Sequence, residues 1–261
     1  KIALAYLRLA DINWVRTHHK FNYFPNNKHQ DALQVIEYYK KAKSYGHKSA
    51  TGQLCNIYDD LYGYPFQQNN IEQRIEYKKE GIKFCKEYIE STVQNLKITD
   101  LKENKAEKFL KNGTLTFDSR LALAKTNDPL IFFSTYNLGW LYSPDDQLKL
   151  FKDETKLSLE YFHQMESICF HAKNFFNICK QNNYIKEKLA RTYNRLGFIY
   201  ANGIGTSINW HDSIRFYKHA AELEDYNATS DLGDIYLEGK YEGSADIYQS
   251  IDWYNKTLEL R

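Results

Sequence analysis

The chain reads as an all-α protein, an irregular α-α superhelix built from helical hairpins, and three observations predict it. Apolar residues fall at helical spacing through most of the sequence, whereas strand signals are scarce. Leu196-Gly197-Phe198-Ile199-Tyr200, followed by Gly203 and Gly205, returns 36 residues later as Leu232-Gly233-Asp234-Ile235-Tyr236, followed by Gly239 and Gly243. Between the copies, Ser213-Ile214-Arg215-Phe216-Tyr217-Lys218 is echoed by Ser250-Ile251-Asp252-Trp253-Tyr254-Asn255. Self-similarity at such a period marks stacked units, none of which can bury its apolar face alone.

The elements follow in order. A first helix is expected from about Ile2 to His19, with Ala5, Leu9 and Ile12 on one face, ended by the loop 22–27. From Asp31 to Ala42, Ala32, Val35 or Ile36, Tyr39 and Ala42 step by three and four, and Gly46 stands at the C-cap position. Ala50, Leu54 and Tyr58 begin another helix, closed by Gly63 and Pro65, and a long charged amphipathic helix runs from Ile71 to Leu96. Asp100 with Glu103 forms a capping box that opens a lysine-rich helix to about Lys111. The turn Asn112-Gly113-Thr114 then leads to a short helix at Ser119 to Ala124.

Asn127-Asp128-Pro129 is a helix start, with a capping side chain and a proline in the first turn, and it introduces Leu130 to Tyr142. Ser143-Pro144-Asp145-Asp146 starts the next helix. From Gln147 to Asn182 there is neither glycine nor proline, which predicts one long helix, or two joined near Asp153. Its seven-residue rhythm of Phe162, Met165, Cys169, Ala172, Phe176 and Cys179 reads as core stripe. The expected organisation is one continuous solenoid: N-terminal hairpins over 1–66, a degenerate region over 67–127, a partial repeat with a long helix over 128–183, and two consecutive repeats over 184–261.

Composition narrows the function classes. A net charge of +2, from 35 basic and 33 acidic residues, gives no global field for nucleic acid or an anionic membrane. No apolar run reaches the roughly 18 to 20 residues that span a bilayer. The four cysteines, at 55, 85, 169 and 179, form no CxxC and no zinc-spaced set with histidine. On one helix, Cys169 and Cys179 would stand roughly 15 Å apart, too far for a disulfide. Pairing of Cys55 with Cys85 stays open, but reduced thiols are favoured, and with them a reducing compartment such as the cytosol. The chain begins at Lys1 rather than Met, so a trimmed piece is expected and any targeting segment ahead of it would be unseen. Gly233 to Lys240 superficially resembles a phosphate loop, but it has five residues between its glycines and lies in a helix. No cofactor, metal site or catalytic residue is expected.

With the hairpins placed, the pattern resembles the Sel1-like repeat family, a relative of tetratricopeptide repeats with a longer unit. Thr192, Leu196, Gly197, Tyr200, Gly203, Gly205, Asn209, Ser213, Phe216, Tyr217, Ala220 and Ala221 occupy the motif's positions in one copy. Ala228, Leu232, Gly233, Tyr236, Gly239, Asp246, Ser250, Trp253, Tyr254 and Lys256 occupy them in the next. A further match runs from Ile36 to Tyr58, with Cys55 at the glycine position, whereas Leu138-Gly139-Trp140-Leu141-Tyr142 is a fragment.

The resemblance implies that first-helix residues three before and one after the glycine face a concave groove. The candidates are Asn194, Phe198 and Asn202; Ser230, Asp234 and Glu238; Tyr136 and Trp140; and Asn56, Asp59 and Asp60. Phe198, Tyr136 and Trp140 read either as interface anchors or as packing against a neighbouring helix, and Asp59-Asp60 as a solvated helix end. The resemblance also implies a function: a protein-binding scaffold or regulator without catalysis, such as an adaptor or a bacterial effector-like protein that restrains a partner enzyme, in that case within a host cell's cytosol. A monomer is favoured. The alternatives are single-stranded RNA binding, against which the near-neutral charge weighs, and an enzyme with its site in 71–127, a segment without a nucleophile-base pair or metal set.

Overall fold

The computed structural model describes residues 1–18, 28–62, 70–95, 110–111, 114–115, 129–143, 155–171 and 183–260. Its helices are α1 (Ile2–His18), α2 (Lys28–Ser44), α3 (Lys48–Tyr62), α4 (Ile71–Asn95), α5 (Pro129–Leu141), α6 (Thr155–His171), α7 (Asn183–Asn202), α8 (Trp210–Glu222), α9 (Tyr226–Leu237) and α10 (Ile247–Glu259). Consecutive helices pack as hairpins, α1 with α2, α3 with α4, α5 with α6, α7 with α8 and α9 with α10. The chain is all-α in class.

The period seen in the sequence is a hydrogen-bond pattern. Gly203 and Gly239 take φ of 65° and 66°, the left-handed region where a side chain is strained, and so close α7 and α9 alike. Asn209 then donates its backbone N–H to the Tyr200 carbonyl at 2.9 Å, and Asp246 does the same to Tyr236 at 2.9 Å. These residues cap the helices they open. The Asn209 side chain accepts from the Asp212 N–H, Asp246 from Gln249, and Asp225 from Ala228 ahead of α9. Each such cap is worth about 1 kcal/mol.

Burial runs through the stack. One cluster extends from Ala10 of α1 to Leu189 of α7. Phe162, Leu196, Ile199 and Phe216 join the third and fourth hairpins, and Ile214, Tyr217, Ala228 and Leu232 join the fourth to the fifth. At the α10 end the pattern changes: Ile251, the counterpart of buried Ile214, is 49% exposed.

Several expectations are corrected. Cys55 and Cys85 form a disulfide with Cα atoms 4.8 Å apart, so the reduced state favoured above does not hold for this pair. The Ala5, Leu9 and Ile12 face of α1 is exposed, because α1 meets α2 with Tyr6, Leu7 and Ala10 instead. Leu110–Lys111 (β1) is not a helix end but pairs antiparallel with Thr114–Leu115 (β2), Leu110 opposite Leu115 and Lys111 opposite Thr114. The intervening Asn112-Gly113 is the dipeptide that two-residue hairpin loops favour. Of the helix expected over 147–182, the described part, Thr155–His171, is helical, and the rest lies outside the described residues. The starts expected at Asp100 and Ser143-Pro144, and the helix at 119–124, fall outside the described residues beyond Ser143.

Candidate functional site

The first helices of successive hairpins, α3, α5, α7 and α9, are connected through their side chains. Asn137 of α5 lies 2.9 Å from the Asn56 amide, and the amide orientation that satisfies both its ends donates to Asp59 Oδ2 at 3.2 Å. Phe133 of α5 meets Tyr184 of α7 with ring centroids 5.2 Å apart, and the Lys188 ammonium lies 4.8 Å from the centroid of Tyr136. Farther along α7, Arg195 contacts Ser143, and its guanidinium lies 5.4 Å from Trp140 and 4.9 Å from Phe198. Asn194 donates to Asp225, the α9 cap, at 3.2 Å.

The eleven candidate residues therefore separate by setting. Asp59, Asp60, Tyr136 and Trp140 lie near Lys188 and Arg195 of α7, the helix that carries Phe198, and Asn56 meets Asn137 of α5. Of the three aromatics, Tyr136 is buried, Trp140 is half-buried with its ring edge-on to Phe162 at 5.6 Å, and Phe198 is 39% exposed. The packing reading thus holds for Tyr136 and Trp140, and Phe198 alone keeps the surface of an anchor. Asn194 is a cap partner, and Asn202 donates back to the Phe198 carbonyl at 2.9 Å. Asp234 accepts from the Tyr254 hydroxyl at 2.6 Å, Glu238 lies 3.7 Å from Lys240, and Ser230 is half-buried on α9.

Electrostatics corrects the view of Asp59 and Asp60 as a solvated helix end. Both residues are half-buried, Asn137 of α5 reaches the Asp59 carboxyl, and the Lys188 charge of α7 acts on both. Burial, then repulsion from Asp60, pushes Asp59 up to about 8, with the Lys188 charge opposing; burial raises Asp60 to about 6 against the same lysine. Tyr136 and Tyr184 rise too, chiefly by burial, Tyr184 to about 12. A second acidic group lies on α9, where burial and then Asp234 lift Asp231 to about 6.

Sequence reasoning missed the cations between these acids. Tyr184, Lys188, Arg191, Arg195, Phe198 and Asn202 fall at helical steps of four and three along one side of α7, a spacing the sequence already carries. No group of three or more metal-ligating side chains occurs among the described residues. A cavity of about 630 Å³ at the α2–α3 corner is lined by lysines and glutamates that answer one another, Lys43 with Glu87 at 2.8 Å and Lys83 with Glu80 at 3.0 Å.

The repeat residues themselves are architecture. A Cβ on Gly139 would meet Phe162 of α6 at 2.6 Å, one on Gly197 would meet Tyr217 of α8 at 2.8 Å, and one on Gly233 would meet Tyr254 of α10 at 2.5 Å. The α5–α6, α7–α8 and α9–α10 hairpins thus cross where a first-helix glycine admits a second-helix ring. The architecture is a stack of α-helical hairpins, three of which share this crossing. Leu138-Gly139, a fragment by sequence, carries the same glycine–ring crossing as the two C-terminal hairpins, and Ser158 of α6 comes close enough to donate to the Gly139 carbonyl at 2.7 Å. No family model and no curated protein matches the chain. Among solved structures it is similar to a Sel1 repeat protein from Oxalobacter formigenes, at 15% identity over 99% of this chain and 88% of that one, with a TM-score of 0.35. It is also similar to a protective antigen present in uropathogenic Escherichia coli strains displaying an SLR fold, at 16% identity over 98% of this chain and 53% of that one, with a TM-score of 0.27.

Proposed function

We propose that the chain is a protein-binding scaffold that engages a partner protein through its first-helix face and performs no catalysis. The observation that carries this reading is the α7 stripe. Arg195 is held between the Trp140 and Phe198 rings, and Phe198 remains 39% exposed beside it. Arginine and aromatic side chains fixed in place before binding lose little entropy on contact, and they dominate interface energetics. Exposed Asp234 and Glu238 of α9 add carboxylates beside the α7 cations, a charge order that suits a partner of matching charge sequence. Restraint of a partner enzyme is the regulatory form of this reading.

Affinity purification from the native source with the wild-type chain and with Phe198→Ala tests it. A specific protein partner should be retained by the first and lost by the second at unchanged helicity, corresponding to roughly a tenfold or greater drop in affinity. A partner held equally by both would overturn the assignment of the face. RNA binding is the weaker reading, because the stripe's cations are answered within the fold: Arg191 pairs with Glu187 at 2.7 Å, and Lys188 opposes the rise of Asp59 and Asp60.

A further inference from the structure

We propose that the Cys55–Cys85 bond is a redox-set staple that substitutes for the glycine–ring crossing of the three hairpins that follow it, so that the α3–α4 hairpin is locked only in the oxidised state. Leu54-Cys55-x-x-Tyr58 stands in register with Leu138-Gly139-x-x-Tyr142, Leu196-Gly197-x-x-Tyr200 and Leu232-Gly233-x-x-Tyr236. In those three hairpins the residue after leucine lies under an aromatic ring of the second helix. In the α3–α4 hairpin it is covalently joined to the second helix instead, with Cα atoms 4.8 Å apart. The ring is displaced by one residue: Phe84 stacks on Tyr58 at 5.6 Å and 7°. A reduced thiol pair would leave the crossing to the Phe84–Tyr58 stack and to Tyr88 against Gly52, without the covalent tie, and would release a loop closed over 30 residues of sequence.

The staple borders the candidate binding face. Cys55 is adjacent to Asn56, and Asn137 of α5 reaches both, its amide 3.6 Å from Cys55 Sγ and 2.9 Å from Asn56 Oδ1. α3 also carries Asp59 and Asp60, so opening this hairpin would disturb one flank of the α7 stripe; that consequence alone rests on the proposed function. Both sulfurs belong to residues with none of their surface exposed, so reduction requires the hairpin to open first.

The chemistry balances with a low-molecular-weight disulfide as oxidant. One cysteine thiolate attacks a sulfur of the small disulfide and expels its first thiolate. The second cysteine thiolate then attacks the mixed disulfide, forming the Sγ–Sγ bond and expelling the other. Two electrons pass to the small disulfide, and the two protons lost by the cysteines end on its thiols. A dithiol reverses the sequence. The oxidised pair therefore points to maturation where disulfides form, not to the reducing compartment favoured from cysteine spacing.

The test begins with a non-reducing peptide map of protein purified without reductant, which should contain a fragment joining Cys55 to Cys85. Dithiothreitol should lower the melting temperature by roughly 5 to 10 °C. Hydrogen exchange should then quicken over 48–62 and 71–95 and stay unchanged over 210–260. The double variant Cys55→Ala with Cys85→Ala, which keeps Cys169 and Cys179, should melt at the reduced value and ignore dithiothreitol. Cys55→Gly with Cys85→Tyr, which rebuilds the glycine–ring crossing, should regain part of the loss and also ignore it. Absence of the linked fragment, or equal melting and exchange of the wild type with and without reductant, would overturn the proposal. These readouts need no binding partner, so the failure of either reading is distinguishable from that of the other.

Discussion

In the third hairpin Gly139 lies under Phe162, a ring with none of its surface exposed and with Trp140 edge-on at 5.6 Å. In the fifth hairpin Gly233 lies under Tyr254, a half-buried ring whose hydroxyl reaches Asp234 at 2.6 Å. The crossings share one motif, yet one is sealed by Leu196, Ile199 and Phe216 of the next hairpin, while of α10 only Ser250 is buried. Motif residues therefore fix where two helices meet. What the meeting contributes to stability depends on the hairpins stacked on either side.

The largest test of that difference removes the rings. Phe162→Ala should cost about 3 to 5 kcal/mol, through lost transfer energy and a cavity that the neighbouring hairpins cannot collapse. Tyr254→Ala should cost only about 1 to 2 kcal/mol, since water already reaches that ring. Urea unfolding of both variants makes the comparison, and equal losses would mean that stacking adds nothing to the crossing.

A smaller effect comes from filling the glycines. Both added methyl groups would collide with a ring, but Tyr254 can swing toward solvent and Phe162 cannot. Gly139→Ala should therefore lose about 2 to 3 kcal/mol to overpacking. Gly233→Ala should stay within about 1 kcal/mol of the wild type, helped by the better helix propensity of alanine. Thermal melts that rank the two variants the other way would break the comparison.

The same contrast explains what could be read from the sequence. The two C-terminal hairpins were legible because their turns are local: Gly203, Asn209, Gly239 and Asp246 act within a few residues of their partners. The third hairpin showed only Leu138-Gly139, since the ring that completes it comes from Phe162 across a break in the period. The staple was illegible for a related reason. Cysteine spacing says nothing about which helices cross, so Cys55 and Cys85 could be paired only once α3 and α4 were side by side. Within the candidate face, Asp59 and Asp60 were found but misread, because their enclosure comes from α5 and α7, far away in sequence. The α7 cations are not legible from the repeat motif, because Lys188, Arg191 and Arg195 occupy positions that it leaves free.

The smallest expected effect contrasts the two acidic groups, Asp59 on α3 and Asp231 on α9. Asp59 rises from an ordinary carboxylate value to about 8, and Asp231 to about 6, each chiefly by burial. A raised carboxyl keeps its proton in the folded state after the unfolded chain has lost it. Its contribution to stability is therefore complete below about pH 4 and declines as pH rises through the folded value. For Asp231 the decline ends near pH 6, whereas for Asp59 it continues to about pH 8. Asparagine removes the titration in either place. After allowance for the partial exposure of both residues, Asp59→Asn should exceed the wild type by about 1 to 2 kcal/mol at pH 8 and by less at pH 6. Asp231→Asn should gain under about 1 kcal/mol, and its gain should already be complete near pH 6. Denaturant unfolding at pH 4.5, 6 and 8 separates the two curves. A gain for Asp59→Asn that grew toward acid would mean that Lys188, not enclosure by the neighbouring first helices, governs that carboxyl.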